Sequence, residues 1–305
     1  MATWSILGVG AIGSLWACNL HRAGHKVELL FRNPALLKTY RTRGGLTLVT
    51  RGQQETFRLD AGVAGEAGEP VQLLLVATKA HQTLDALRQA GARLAPHTRV
   101  LLLQNGMGVA AGIREQFALC ELYCGVTTDG AYCTEPFTVV HAGSGITHVG
   151  AFRHDGDPQT LMRQLPGDLL HIEPCADIEP RQWRKLAINC AINGLTVIYQ
   201  CRNGELLQHE EARQRMVRLC DEIQALATAL GYGASVQDLQ QETLAVLRAT
   251  AANYNSMYQD IERRRGTEID YLNGYLLQQA QRLGIPCPEN RMLYEEVKRR
   301  EEGFT

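Results

Sequence analysis

The chain has 305 residues, 45% hydrophobic and 21% charged, and its 31 basic and 32 acidic side chains leave a formal net charge of −1. That balance offers no basic field to a nucleic-acid backbone or an anionic membrane, while the length suffices for two hydrophobic cores. The longest aliphatic stretch, Leu73–Ala77 after Val71, is far too short to span a bilayer. The N-terminus lacks the basic flank and apolar core of an export signal, which predicts a cytoplasmic protein. Nine cysteines occur without CxxC pairs, Cys120 and Cys124 being nearest to each other. Their number and spacing argue for reduced, mostly buried thiols rather than a disulfide framework or structural zinc.

In chain order, Trp4–Gly8 reads as a strand, Ala11–Ala23 as a helix and Lys26–Phe31 as a second strand. Val71–Val76, a helical pattern over Gln82–Leu94, and Arg99–Leu103 continue the alternation. Strands apolar on both faces and separated by helices indicate a mostly parallel sheet covered on both sides. Leu46–Thr50 and Glu55–Leu59 read as an inserted hairpin, and Leu122–Phe152 as several further strands at the sheet edge. Beyond the proline-bearing stretch Glu173–Pro180 the pattern turns helical. Helices are expected over Arg181–Tyr199, Glu210–Leu230, Val236–Arg264, Glu268–Leu283 and Glu289–Glu302. The predicted class is α/β with a helical C-terminal part, and the predicted domains are residues 1–175 and 176–305.

Gly8-Val9-Gly10-Ala11-Ile12-Gly13 directly follows the first strand and opens a helix. In that setting the first glycine permits a tight turn, the second lets a pyrophosphate approach the backbone, and the third allows close helix–strand packing. A cofactor with a free ribose 2′-hydroxyl favours a carboxylate about twenty residues on. Glu28 comes too early in the second strand, and Arg32 stands at that strand's end instead. A guanidinium there suits the extra phosphate of NADP, and Lys79 after the Leu73–Ala77 strand is a second candidate contact. Either could be a solvated surface cation, but two cations at adjacent strand ends favour NADP over NAD. Gln104-Asn105-Gly106-Met-Gly108 follows another strand; Asn105 could meet cofactor or substrate, or merely cap its own turn.

Lys185, Asn189 and Asn193 recur every fourth residue in an otherwise apolar helix, so their side chains stack along one side. A polar ladder on a buried helix must find partners. Reduction of a carbonyl by hydride transfer generates an alkoxide that needs a proton, and a partly buried lysine can supply it. The bland reading has Lys185 snorkelling to solvent and the asparagines pairing with neighbouring helices. Asn253 and Ser256 stand three apart on a predicted helix. Thr267 and Asp270 suggest a capping box, with Glu268 in the first turn of its helix. Asn203-Gly marks a turn. The histidines show no metal-binding grouping, so no metal is expected.

The chain resembles the ketopantoate reductase (2-dehydropantoate 2-reductase) family along nearly its full length. Gly8–Gly13, Gln104–Gly108, Trp183–Asn193, Asn203–Leu206 and Thr267–Gly274 match in order. The resemblance implies an N-terminal Rossmann-type domain and a C-terminal all-helical domain. It also implies NADPH-dependent reduction of ketopantoate to pantoate, on the route to pantothenate and coenzyme A, in a cleft between the two domains. By the same resemblance, Lys185 matches the catalytic lysine and Glu268 the assisting, substrate-binding glutamate. Asn105, Asn189, Asn193 and Ser256 match residues that bind substrate or frame the site, with Asn203 and Asn253 weaker neighbours. Gly8–Gly13, Arg32, Lys79 and Asn105 fall on the cofactor side. A reductase of a different 2-oxo acid, or a non-catalytic NADPH sensor, is the alternative; homodimer and monomer both stay open.

Overall fold

The computed structural model describes residues 3–154, 157–167 and 169–303. The chain divides into two units, Met1–Gln104 with Val109–Ile178, and Asn105–Gly108 with Glu179–Thr305.

The first unit runs β1 (Thr3–Leu7), α1 (Ala11–Arg22), β2 (Lys26–Phe31), α2 (Pro34–Arg43), β3 (Leu46–Thr50), β4 (Gln53–Phe57), β5 (Asp60–Val63), β6 (Val71–Val76), α3 (Ala80–Ala90), β7 (Leu94–Leu102), α4 (Val109–Gln116), β8 (Glu121–Thr127), β9 (Gly130–Glu135), β10 (Thr138–Gly143), β11 (Ile146–Ala151), α5 (Pro158–Met162) and β12 (His171–Pro174). Eight strands form one sheet in the order β12-β11-β8-β7-β6-β1-β2-β5. From β5 to β8 all neighbours are parallel, while β11 runs antiparallel to β8. The chain winds outward from β1 in both directions, so β1 borders the switch point where open α/β sheets bind ligands. Leu29, Leu73, Leu75 and Leu101 are fully or almost fully buried along the central strands, as parallel strands covered on both faces require.

The expected hairpin exists as β3–β4, but it does not stand alone. Strands β9 and β10 join it in a separate four-stranded sheet of order β4-β3-β10-β9, with Val139 of β10 in parallel register with Leu48 of β3. The Leu122–Phe152 segment is therefore shared between two sheets rather than added at one edge. The short strand β5, beyond β2, was not anticipated; only two of its four residues are apolar, Ala61 and Val63.

The second unit comprises α6 (Glu179–Tyr199), α7 (Glu210–Ala229), α8 (Leu239–Ala249), α9 (Ser256–Glu262), α10 (Asn273–Leu283) and α11 (Pro288–Glu302). Its core gathers Trp183, Leu186, Leu195, Leu219, Leu239, Leu276 and Leu293 around α6. Trp183 stacks on Tyr232 with ring centroids 5.2 Å apart, an arrangement worth more than its area burial alone. The predicted Val236–Arg264 helix is two helices, α8 and α9, parted by residues 250–255. The predicted Glu268–Leu283 helix begins instead with a single 3-10 turn at Ile269–Tyr271, and α10 starts only at Asn273. Among the described residues no helix is long and apolar enough to cross a membrane. Seven of the nine cysteines are buried thiols.

Candidate active site

In the first unit, three adjacent parallel strands, β6, β1 and β2, carry predicted cofactor contacts at their carboxyl ends. Gly8 adopts φ +100° and lies so close to the end of β6 that a Cβ on it would meet Thr78 N at 2.4 Å. A Cβ on Gly13 would stand 2.1 Å from Gly8 O, which fixes how tightly α1 packs on the turn. Above Gly10 the space is open, with nothing within 4 Å of the Cβ position. Gly10 also occupies the N-cap of α1 without a side-chain capping bond, and the first turn has no acidic residue. The uncapped N–H groups and positive helix end suit a pyrophosphate. The residues present thus fit a dinucleotide.

Arg32, just past β2, is exposed, and its side chain has no hydrogen bond or ion pair among the described residues. Lys79 is half-buried at the N-cap of α3. Glu28 is occupied elsewhere: Arg93 donates to its two oxygens at 3.0 and 2.7 Å. That pairing removes the carboxylate from ribose recognition. Thr83 donates to Gln104 Oε1 at 2.7 Å, anchoring the residue before Asn105.

Asn105–Gly108 clusters with the helical unit although it is covalently the continuation of β7. Met107 N donates to Tyr271 O at 2.9 Å, and a Cβ on Gly106 would lie 2.5 Å from that same oxygen. Asn105 Nδ2 in turn donates to Glu268 Oε2 at 3.4 Å. The predicted capping box at Thr267 does not form. Thr267 Oγ1 accepts from Ile269 N at 3.1 Å in a local turn, while Asp270 binds Tyr294 Oη at 2.7 Å and Lys298 Nζ at 3.2 Å. Glu268 therefore precedes a 3-10 turn and is not a first-turn residue of α10, so the helix-dipole explanation of its charge falls away.

Lys185 and Glu268 are electrostatically coupled. Burial pushes the Lys185 ammonium down from 10.5 to about 8, with the negative charge of Glu268 pulling it back up. The residue keeps some accessible surface, yet burial strips most water from the ammonium. One and two turns on, Asn189 is half-buried and Asn193 buried. Neither side-chain amide has a hydrogen-bond partner among the described residues, so pairing with neighbouring helices does not explain them. Ser256, the first residue of α9, is exposed.

Asn253 differs from expectation, and Asn203 is tied into the helical unit itself. Asn203 is buried; its Nδ2 donates to Thr250 Oγ1 at 2.8 Å and its Oδ1 accepts from Asn255 at 3.3 Å. Asn253 lies in the non-helical stretch before α9, not on a helix with Ser256, and its carbonyl accepts from Asn203 N at 3.0 Å. Asn255 was missed, although asparagine at the start of a helical segment is a standard cap signal. Asn273 was missed as well: fully buried, it donates to Cys190 O and Asn290 Oδ1 and so ties the start of α10 to α6.

An α/β unit with an open glycine turn at its switch point, and a helical unit with a desolvated lysine beside a glutamate, define an NADP-dependent oxidoreductase. The chain belongs to the ketopantoate reductase family, matching the PanE/ApbA family model over residues 4–154 and its C-terminal model over 177–301. It is 37% identical to the 2-dehydropantoate 2-reductase of Escherichia coli O157:H7, covering 98% of this chain and 95% of that one. Identity with the Archaeoglobus fulgidus enzyme of the same name is 30%, covering 98% of each chain. Among solved structures, a PanE/ApbA family ketopantoate reductase from Ralstonia eutropha superposes with a TM-score of 0.87 at 28% identity, over 99% of both chains. A D-mandelate dehydrogenase in ternary complex with NADH and anilino(oxo)acetate superposes with a TM-score of 0.90 at 26% identity, also over 99% of both.

Proposed function

We infer that this chain reduces 2-dehydropantoate to pantoate with NADPH, and we assign Lys185 as the proton donor. The observation that carries the assignment is the desolvated Lys185 held beside Glu268 on the helix that also presents Asn189 and Asn193. Bound NADPH supplies the hydride, with Gly8–Gly13, Arg32 and Lys79 to hold it and Asn105 next to it or to the substrate. Lys185 Nζ delivers a proton to the oxygen of the reduced carbonyl and, while charged, stabilises the negative charge that builds there. An ammonium titrating near 8 remains about nine-tenths protonated at neutral pH and releases its proton readily. Glu268 favours the protonated form of Lys185, and Asn105 donates a hydrogen bond to the same glutamate. Asn189, Asn193 and Ser256 offer uncharged donors for the substrate carboxylate and hydroxyl, as expected of groups that recognise an anion without adding charge.

The D-mandelate dehydrogenase likeness keeps a second reading in play, a reductase of another 2-oxo acid. Steady-state NADPH oxidation with ketopantoate and with phenylglyoxylate separates the two. Ketopantoate is expected to give the higher kcat/KM, and a clear preference for phenylglyoxylate would replace the substrate while leaving the chemistry intact. Lys185→Ala is expected to fold and bind NADPH but lose about 10²- to 10⁴-fold in kcat, the span of general-acid catalysis. Near-native turnover by that variant removes Lys185 from the role.

A further inference from the structure

Residues 250–255 interrupt what local sequence preference would make one long helix, and a single side chain organises the restart. Asn255 uses both ends of its amide. Its Oδ1 accepts from Tyr258 N at 3.0 Å and caps α9, whose first residue is Ser256. Its Nδ2 donates to Thr196 Oγ1 at 2.6 Å and to Asn203 Oδ1 at 3.3 Å. Thr196 lies on α6 and is fully buried, and its hydroxyl passes the connection on, donating to Asn193 O at 2.9 Å. Asn203 continues the other branch, to Thr250 Oγ1 at 2.8 Å, and Thr250 Oγ1 donates to Val246 O at 2.7 Å near the end of α8. A short hydrogen-bonded path thus runs from the helix that carries the ladder to the helix that carries Ser256.

The chemistry of the path is specific to an amide. A helix cap alone needs only an oxygen, which serine or aspartate supplies. The bonds to Thr196 and Asn203 need two N–H donors beside that oxygen, and only asparagine offers the set at this reach. Aspartate would place an acceptor against Asn203 Oδ1, and serine is too short to reach α6. We propose that Asn255 is a positioning residue for substrate recognition, setting Ser256 and Asn193 at a fixed separation so that both meet one 2-oxo acid. The proposal rests on the assignment of Asn193 and Ser256 to the substrate.

Asn255→Ser keeps the cap and removes the link, so it is the informative variant. The expected result is a KM for ketopantoate raised about two- to tenfold, the range commanded by one neutral hydrogen bond, with KM for NADPH unchanged and kcat within about twofold. Thr196→Val removes the other end of the same link and should raise the same KM. The double variant should do no more than the larger single one, because both break one connection. A lowered melting temperature with an unchanged substrate KM in both single variants means the network only stabilises the fold, and overturns the proposal. Additive KM effects in the double variant also overturn it. Asn193→Ala and Ser256→Ala run alongside. If they raise the substrate KM and Asn255→Ser does not, positioning fails while the substrate assignment stands; if neither raises it, both fail.

Discussion

Replacing Lys185 by methionine should make the protein more stable and inactive at once. The ammonium sits at about 8 rather than the 10.5 ordinary for lysine, chiefly because burial penalises its charge. At about 1.4 kcal/mol per pH unit, keeping it protonated in the folded protein at neutral pH costs about 3 kcal/mol. The partial exposure of the side chain reduces the expected gain to about 2 kcal/mol. The sign follows from linkage. A lysine titrating lower in the folded than in the unfolded state imposes its full cost below about pH 8. The cost shrinks as pH rises toward 10.5, where the unfolded chain also gives up the proton. Methionine should therefore exceed wild type by about 2 kcal/mol at pH 7 and lose most of that margin near pH 10.5. Urea unfolding followed by the helical circular-dichroism signal, at both pH values and for both proteins, measures it. A methionine variant no more stable than wild type at pH 7, or a margin that is the same at both pH values, refutes the claim that Lys185 is a desolvated ammonium.

The kcat of the wild-type enzyme should fall as pH passes about 8, when Lys185 loses its proton; Glu268→Gln removes the charge that raises this lysine and should move the fall to lower pH. A pH profile that is the same in both proteins would separate Glu268 from Lys185. Arg32→Ala should raise KM for NADPH about tenfold, in line with one charge-assisted hydrogen bond, and leave KM for NADH within about twofold; equal changes for both cofactors would take Arg32 away from the 2′-phosphate. Gly13→Ala forces a Cβ to 2.1 Å from Gly8 O. It should cost about 1–3 kcal/mol in stability and weaken NADPH binding, read by thermal melting and fluorescence titration; native affinity would mean the turn has slack.

The parts legible in the sequence were those whose causes are local. Strands β2 and β6 fall on the residues expected, because short runs such as Leu73–Val76 are apolar on both faces. Helix α6 was legible from its apolar body, and the polar ladder from its four-residue spacing. The second sheet was not, since its key pairing joins Leu48 to Val139 across about ninety residues of chain. The break before α9 was hidden for a similar reason. Thr250-Ala-Ala can continue a helix, and the bonds that hold the restart come from Thr196 and Asn203, far away in sequence. The local setting of Glu268 was misjudged, because Thr267 and Asp270 look like a capping box until Tyr294 and Lys298 claim the aspartate.

The tetrapeptide Asn105–Gly108 has a consequence for how this protein can be taken apart. Its residues belong with the helical unit, yet they are encoded between β7 and α4, some seventy residues before α6. The backbone therefore passes from one unit to the other at three points: after Gln104, after Gly108 and after Ile178. A single cut after Ile178 does not yield two complete pieces, because the C-terminal fragment lacks the strand of chain that hydrogen-bonds Tyr271 O and accommodates Tyr275. Recombination between relatives meets the same constraint. A helical half grafted from another family member inherits a host tetrapeptide shaped for a different Tyr271, so the transferable module is two discontinuous stretches of gene rather than one.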